Sequence, residues 1–480
     1  MPNSVYWDDS PPGRDQNPFN DAIEDDVSLL PLNAESSALD LAQNGGLTSM
    51  ADTNFISPEL AGSDLKGAFF NMTNSIVGAG IVGIPRAFKN SGLVLGILLM
   101  ITLTFLNDWT LRLIIINTKL SGSKSYTGFV THSFGTTGKI IVLLAQGLFA
   151  FGGAIGFSVI IGDSIPHVLR SIFHESVENN ALVNFILGRN SIIVFCIVFI
   201  SYPLSLIRDM SKLAKASGLA LISMTIIIVL VILRASSMPA ELKGGISGSE
   251  WFVSPNFFQG ISVISFALVC HHNTTFIYDS IRVPTLDRFN SVTFISCMIS
   301  GFVCSLIGIV GFLNFGSFTR GNILNNFPSD DWVINIARLC FGLNMLTTFP
   351  LEIFVIREVF KDLIIIYHQQ RDPSYELNTL TGAQHFIVTS ICSFIPMTIS
   401  LFTCNLSAIL ELVGATSGST LAYILPPLCY YKMTWRNKSL LQRAPIIGCV
   451  LFGFSVMFLS SFQTILEAIR NTDGSSHCVD

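Results

Sequence analysis

The sequence predicts an all-α integral membrane protein with eleven transmembrane helices, and three observations carry that expectation. Half of the 480 residues are hydrophobic and only 12% are charged, too little polar surface to wrap the chain in water. Apolar windows of roughly 20 residues, the length that crosses a hydrocarbon core of about 30 Å as helix, recur from residue 65 to residue 470. These windows are continuous rather than alternating, which excludes outer-membrane strands.

In chain order the predicted spans are 65–88, 92–117, 139–168, 191–207, 213–233, 256–280, 291–315, 332–357, 384–402, 406–431 and 445–469. With the N-terminus inside, 18 of the 27 Lys and Arg residues fall on the cytoplasmic side. That bias predicts a cytosolic N-terminus and a lumenal C-terminus. No loop carries a cysteine pair suited to a disulfide framework, so the cysteines are expected to be small packing residues.

Residues 1–63 set eleven acidic side chains against Arg14 alone, net −10, and are rich in Ser, Asn and Pro. Such a segment is expected to be a disordered cytosolic tail, with a transmembrane domain over 64–470 and a short tail over 471–480. The start lacks a basic region followed by an apolar run, so the first span is expected to direct insertion. Asn17-Pro18-Phe19 matches the pattern of an endocytic adaptor ligand, and Asp25 precedes the Leu29-Leu30 pair as in acidic di-leucine signals. Sorting adaptors are therefore candidate partners of the tail.

Within the spans, two segments break the helical pattern. "NSIVGAGIVGIP" places Gly78, Gly80, Gly83 and Pro85 in the first span. Each glycine weakens a helix by about 1 kcal/mol relative to alanine, and an interior proline by about 3. In the sixth span, an apolar run from Phe257 to Cys270, too short to cross, is followed by "HHNTT", His271 to Thr275. Five adjacent polar residues point around the whole helix, so the segment must be buried, unwound or beside a cavity.

The two defects lie five spans apart. Secondary transporters built from inverted repeats place discontinuous helices at corresponding positions and expose backbone N–H and C=O groups to substrate and ion. Helices 1 and 6 are therefore expected to be discontinuous. Close helix packing through small residues is the alternative for Gly78, Gly80 and Gly83.

Other polar groups at membrane depth narrow the search. Asp163 is either a gating or proton-linked carboxylate or a group reaching interfacial water. Thr348 and Glu352 share a helical face at i, i+4 spacing. Thr348 either ligates a cation or bonds back to its own helix, and Glu352 is either an ion-pair partner or a proton carrier. His271 and His272 are either a proton relay or structural hydrogen-bonding groups. Gly414 and Gly418, in "GATSGST", have the spacing of a packing motif. Glu411 has no assigned role.

Five motifs carry a family likeness: "NMTNSIVGAGIVGIP", "IIGDSIP", "VCHHNTTFIYDSI", "FPLEIFVIREVF" and "LVGATSGSTLAYILPP". In this order the chain resembles the amino acid/auxin permease family, and within it the vacuolar amino-acid transporters of fungi and the sodium-coupled neutral amino-acid transporters of animals. The resemblance implies a LeuT-like fold, two inverted repeats of five helices plus one extra. It implies that a substrate's amino and carboxylate groups meet Val77, Gly78, Ala79, Gly80, Ile81 and Gly83 together with His271, His272, Asn273 and Thr274. It places Asn74 and Thr348 at the positions that shape the ion site of sodium-coupled relatives, whereas vacuolar relatives use protons. Arg86 departs from the family pattern, in which an uncharged residue usually follows the proline.

The function expected is secondary active transport of neutral L-amino acids across a vacuolar or lysosomal membrane, coupled to H+ or Na+. A membrane amino-acid sensor using the same site is the alternative. A channel is disfavoured by the lack of ring-forming charges or a filter sequence. No metal-ligand or nucleophile-base motif points to an enzyme, and no cofactor or nucleic-acid partner is expected.

Overall fold

In the computed structural model the described residues are 65–208, 217–372, 377, 379–435 and 439–470. Both tails, and with them the sorting-like motifs, lie outside the described residues, as does the start of the fifth predicted span.

The regular elements described are helices: α1 (Leu65–Ile76), α2 (Ile84–Ser91), α3 (Leu93–Ser121), α4 (Tyr126–Ile172), α5 (Arg189–Ser205), α6 (Ser217–Ser236), α7 (Phe257–Leu268), α8 (Thr274–Ser280), α9 (Leu286–Phe315), α10 (Trp332–Gln369), α11 (Gly382–Phe402), α12 (Leu406–Thr434) and α13 (Leu440–Arg470). Among the described residues, eight helical segments are long and apolar enough to cross a bilayer, and the bent α1–α2 pair makes a ninth. The predicted fourth and fifth windows hold α5 and α6, whose apolar helices, Arg189–Ser205 and Ala220–Ser236, are shorter. The chain is thus an all-helical, multi-pass membrane protein.

Helix boundaries follow local chemistry. Gly92 (φ +86°) and Gly122 (φ +67°) close α2 and α3 in conformations that disfavour a side chain. Since α3 begins directly after Gly92, its first donors are satisfied from elsewhere. The N–H groups of Leu93, Val94 and Leu95 donate to the carbonyls of Glu250, Trp251 and Phe252 at 2.9, 3.1 and 3.1 Å. Thr381 and Gln384 form a reciprocal capping box on α11. The third predicted span, 139–168, lies inside the longer α4, which bends at Gly135 (φ +63°).

Glycines set how closely the helices approach. Helices α4 and α10 run antiparallel, with Gly342 receiving Ile165, Gly153 receiving Glu352 and Gly147 receiving Val359. On the other side of the bundle, α9 lies against α1, α2 and α3, with Gly308 under Phe88 and Gly311 under Pro85. Gly414 of α12 meets the Ser262 carbonyl of α7, where an added β-carbon would lie 1.9 Å from the oxygen. For Gly414 the packing expectation is what the structure shows.

The cysteines divide. Among the described residues eight are unpaired, most of them buried packing residues. Cys404, in the connection between α11 and α12, is instead disulfide-bonded. The expectation that all cysteines serve packing is therefore corrected there.

Candidate functional site

Both interrupted segments are broken. Helix α1 ends at Ile76, and after Val77 and Gly78 the chain continues as a 3-10 turn (Ala79–Gly83) into α2, with a 40° bend between the halves. The Gly78 N–H turns back to the Ile76 carbonyl at 2.9 Å, so the α-helical ladder stops. No side chain caps the new N-terminus. In the sixth span α7 stops at Leu268, Val269 is extended (ψ 114°), and His271–Asn273 form a 3-10 turn before α8. Helix ends of this kind leave backbone donors and acceptors for a ligand.

The two breaks meet. A β-carbon on Gly80 would lie 2.6 Å from Cα of Ala267, and one on Gly83 would lie 2.8 Å from a Leu410 methyl. At these two glycines the missing side chain serves close packing against α7 and α12. Gly78 differs, because nothing lies within 4 Å of where its β-carbon would be. Val77, Ala79 and Ile81 are buried beside it, while Asn74 and Gly78 are partly accessible. The opening at the first break is therefore at Gly78 and Asn74, one turn of helix apart.

The polar residues of the second break divide in the same way. His271 is fully buried, and its Nε2 lies 2.9 Å from the Thr110 hydroxyl on α3. Thr274 is buried, while His272 and Asn273 are partly accessible. The His272 ring stands 5.3 Å from that of Phe149 on α4, and Phe149 also stacks on Phe266 of α7. Thr348 of α10 donates to the Asn344 carbonyl at 2.8 Å, the back-bonding alternative.

A second layer lies toward the ends of α2 and α4. A cavity of about 660 Å³ is lined by Arg86, Lys89, Arg320, Glu411, Asn405 and Glu467 among others. Arg86 donates to the Thr319 carbonyl and pairs with Glu467 at 3.8 Å. Its departure from the family pattern thus bears on this vestibule, not on the broken backbone. Glu411 is buried and accepts from Asn90 (3.3 Å), Ser407 (2.8 Å) and Thr464 (2.9 Å), joining α2, α12 and α13.

Asp163 lines the same cavity. It is buried, pairs with Arg189 at 3.6 Å, and accepts from Asn325 (3.0 Å) and Asn322 (3.4 Å). Arg189 also donates to the Ser400 and Thr403 carbonyls. Together these bonds tie α4, α5, α11 and the α9–α10 connection at one point. Arg338 holds that same connection from α10, donating to the carbonyls of Leu324, Phe327 and Pro328 at 2.8 to 3.0 Å. The sequence reading singled out neither Arg189 nor Arg338; the available signal was an arginine in or beside an apolar span.

Among the described residues no group of His, Cys, Asp and Glu is arranged to hold a metal ion. Comparison with known proteins gives the site its context. A family profile described as "Transmembrane amino acid transporter protein" matches residues 62–466. The chain is 50% identical over 418 residues to "Vacuolar amino acid transporter 2" of Saccharomyces cerevisiae, covering 87% of this chain and 86% of that one. It is 34% identical over 405 residues to "Putative sodium-coupled neutral amino acid transporter 11" of Danio rerio, covering 83% and 87%. The Bos taurus protein of that name is 31% identical over 413 residues, covering 86% and 84%. With its apolar helices, its paired breaks and a profile match over most of its length, the chain belongs to the transmembrane amino acid transporter protein family.

Proposed function

We propose that this chain is a secondary active transporter of neutral L-amino acids in a vacuolar or lysosomal membrane, driven by H+ or Na+. The observation that carries the reading is the meeting of two broken helices at Gly80 and Ala267 beside the opening at Gly78. A half-helix start presents free N–H groups and a positive dipole end, which suits an α-carboxylate. A half-helix end presents free carbonyls, which suits an ammonium group. In this reading the N–H groups of Ala79 and Gly80, at the start of the 3-10 turn, take the carboxylate, carbonyls at the end of α1 take the ammonium, and His272 and Asn273 border the side chain. For a sodium-driven cycle Asn74 and Thr348 are the side chains assigned to the ion, and Asp163 holds the outer closure.

Supporting the substrate class are the names the relatives carry, one a vacuolar amino acid transporter and others neutral amino acid transporters. The arrangement proposed is two five-helix inverted repeats with α13 as the added helix, the N-terminus cytosolic and the C-terminus lumenal. Alternating access then follows from rocking of one bundle against the other.

Purified protein in liposomes, offered a panel of labelled amino acids with the unlabelled form inside, tests this reading. Exchange of at least one neutral amino acid is expected, with net uptake driven by a pH or sodium gradient. Absence of exchange for every amino acid offered would overturn it.

A further inference from the structure

Glu352 lies at the middle of the α4–α10 contact and has no place in the sites described above. Its helical face runs through Phe341, Met345, Thr348, Glu352, Val355 and Val359. Phe341, Met345 and Val359 are buried, whereas Thr348, Glu352 and Val355 are partly accessible. This accessibility does not come from the lipid side. The exposed Leu343 stands nine residues away, about two and a half turns, so Glu352 points in the opposite direction. The face is closed at both ends and partly accessible at its centre, at Thr348, Glu352 and Val355.

The carboxylate packs on glycine. A β-carbon on Gly153 would lie 3.4 Å from Cδ of Glu352, so α4 leaves room for the carboxyl group without supplying a side chain to neutralise it. The Oε2 atom is buried with no hydrogen-bond partner among the described residues. One turn from Gly153 on α4 stands Phe149, whose ring contacts His272 of the second break. Glu352 therefore shares a face of α4 with the interrupted sixth span.

Charged and titratable groups on the elements around it are committed elsewhere or distant. On α4, Lys139 and Asp163 are 14 and 10 residues from Gly153, about 21 and 15 Å along the helix, and Asp163 is paired with Arg189. On α6, Arg234 pairs with Asp331; on α5, Tyr202 bonds Ser390 of α11. His385 of α11 faces the Leu206 carbonyl and Arg357, which itself donates to Ser205. Within α10, Glu358 pairs with Lys361. His272, beyond Phe149, is the remaining titratable neighbour on the shared face.

A carboxylate left ionised at membrane depth costs several kcal/mol. Its neutralising partner must come from outside the fold. A hard metal cation requires a shell of oxygens; Gly153 and Phe149 offer no side-chain oxygen, and Thr348 is bonded to its own helix. A proton requires only the carboxylate. Resting on the transporter reading above, we propose that Glu352 takes up and releases the proton that couples amino-acid movement to a pH gradient. The step is the addition of H+ to the carboxylate in one accessible state and its loss in the other.

The test uses full-length protein in liposomes, wild type against Glu352→Gln and Glu352→Asp, with an amino acid that the wild type exchanges. Glu352→Gln is expected to keep exchange in the absence of a gradient and to lose pH-gradient-driven accumulation, with Glu352→Asp restoring part of it. In the wild type, a hydrophobic carbodiimide, which reacts with protonated carboxyl groups, is expected to label Glu352 increasingly as pH falls. This labelling does not depend on the Gln variant folding.

Accumulation by Glu352→Gln equal to wild type, or no labelling of Glu352 at any pH, would overturn the proposal. So would loss of exchange together with accumulation in a Gln variant of unchanged thermal stability, since that makes Glu352 a substrate ligand. Wild-type exchange driven by sodium and not by protons removes this proposal and leaves the transporter reading standing. Wild type without exchange removes both.

Discussion

Gly80 and Ala267 are in direct backbone contact: a β-carbon on the glycine would lie 2.6 Å from the alanine Cα. Two helices, each interrupted at a different point of the sequence, are thereby locked together at their interruptions. Substitutions here separate a packing requirement from a ligand requirement.

Gly80→Ala is expected to lower stability, because the added methyl must displace backbone and overpacking costs about 1–3 kcal/mol. Gly78→Ala adds its methyl to open space and is expected to leave stability unchanged while reducing amino-acid exchange, because it narrows the approach to the backbone. Thermal melting in detergent read beside exchange in liposomes checks both. Equal melting temperatures for the two variants would disprove the packing assignment of Gly80.

Removing Asp163 leaves Arg189, whose side chain is only 9% exposed, short of its carboxylate, a loss of about 3 kcal/mol by analogy with broken buried pairs. Replacing both, as in Asp163→Asn with Arg189→Met, is expected to recover part of that loss. A double-mutant cycle on melting temperature measures the coupling; strictly additive effects would mean the pair contributes nothing.

Arg338 donates to three carbonyls of the α9–α10 connection, which its planar fork can reach together and a lysine cannot. Arg338→Lys is therefore expected to expose residues 316–331 to limited proteolysis with little change elsewhere. Cleavage kinetics on intact liposomes are the measurement, and protection equal to wild type would show that the connection is held by other bonds.

With Glu352 carrying the coupling proton, neither Asn74→Ala nor Thr348→Ala is expected to change the sodium dependence of uptake. Thr348 is expected to be neutral in stability as well, within about 1 kcal/mol, because it gives up a single bond to its own helix. A wild type stimulated by sodium, with that stimulation lost in either variant, would return ion coupling to Asn74 and Thr348.

Much of the architecture was legible from composition, because a bilayer demands apolar length and internally satisfied backbone whatever the contacts are. The breaks were legible as well. Four helix breakers in "NSIVGAGIVGIP" and five adjacent polar residues in "HHNTT" conflict with a continuous span, and both segments are discontinuous in the structure. Individual glycines were not separable in this way: Gly78 and Gly80 are identical in sequence terms, and only their neighbours make one open and the other closed.

The sequence alone determined that the chain is a helical membrane protein with two weakened spans, since hydropathy and helix propensity act over short range. Tertiary structure decided which polar groups are partnered. Asp163 finds Arg189 and two asparagines, Glu411 finds three donors, and the Oε2 atom of Glu352, which packs on Gly153, finds no hydrogen-bond partner among the described residues. The cost of a charge in a bilayer depends on what stands within hydrogen-bonding distance, and those neighbours lie on other helices, up to 321 residues away along the chain.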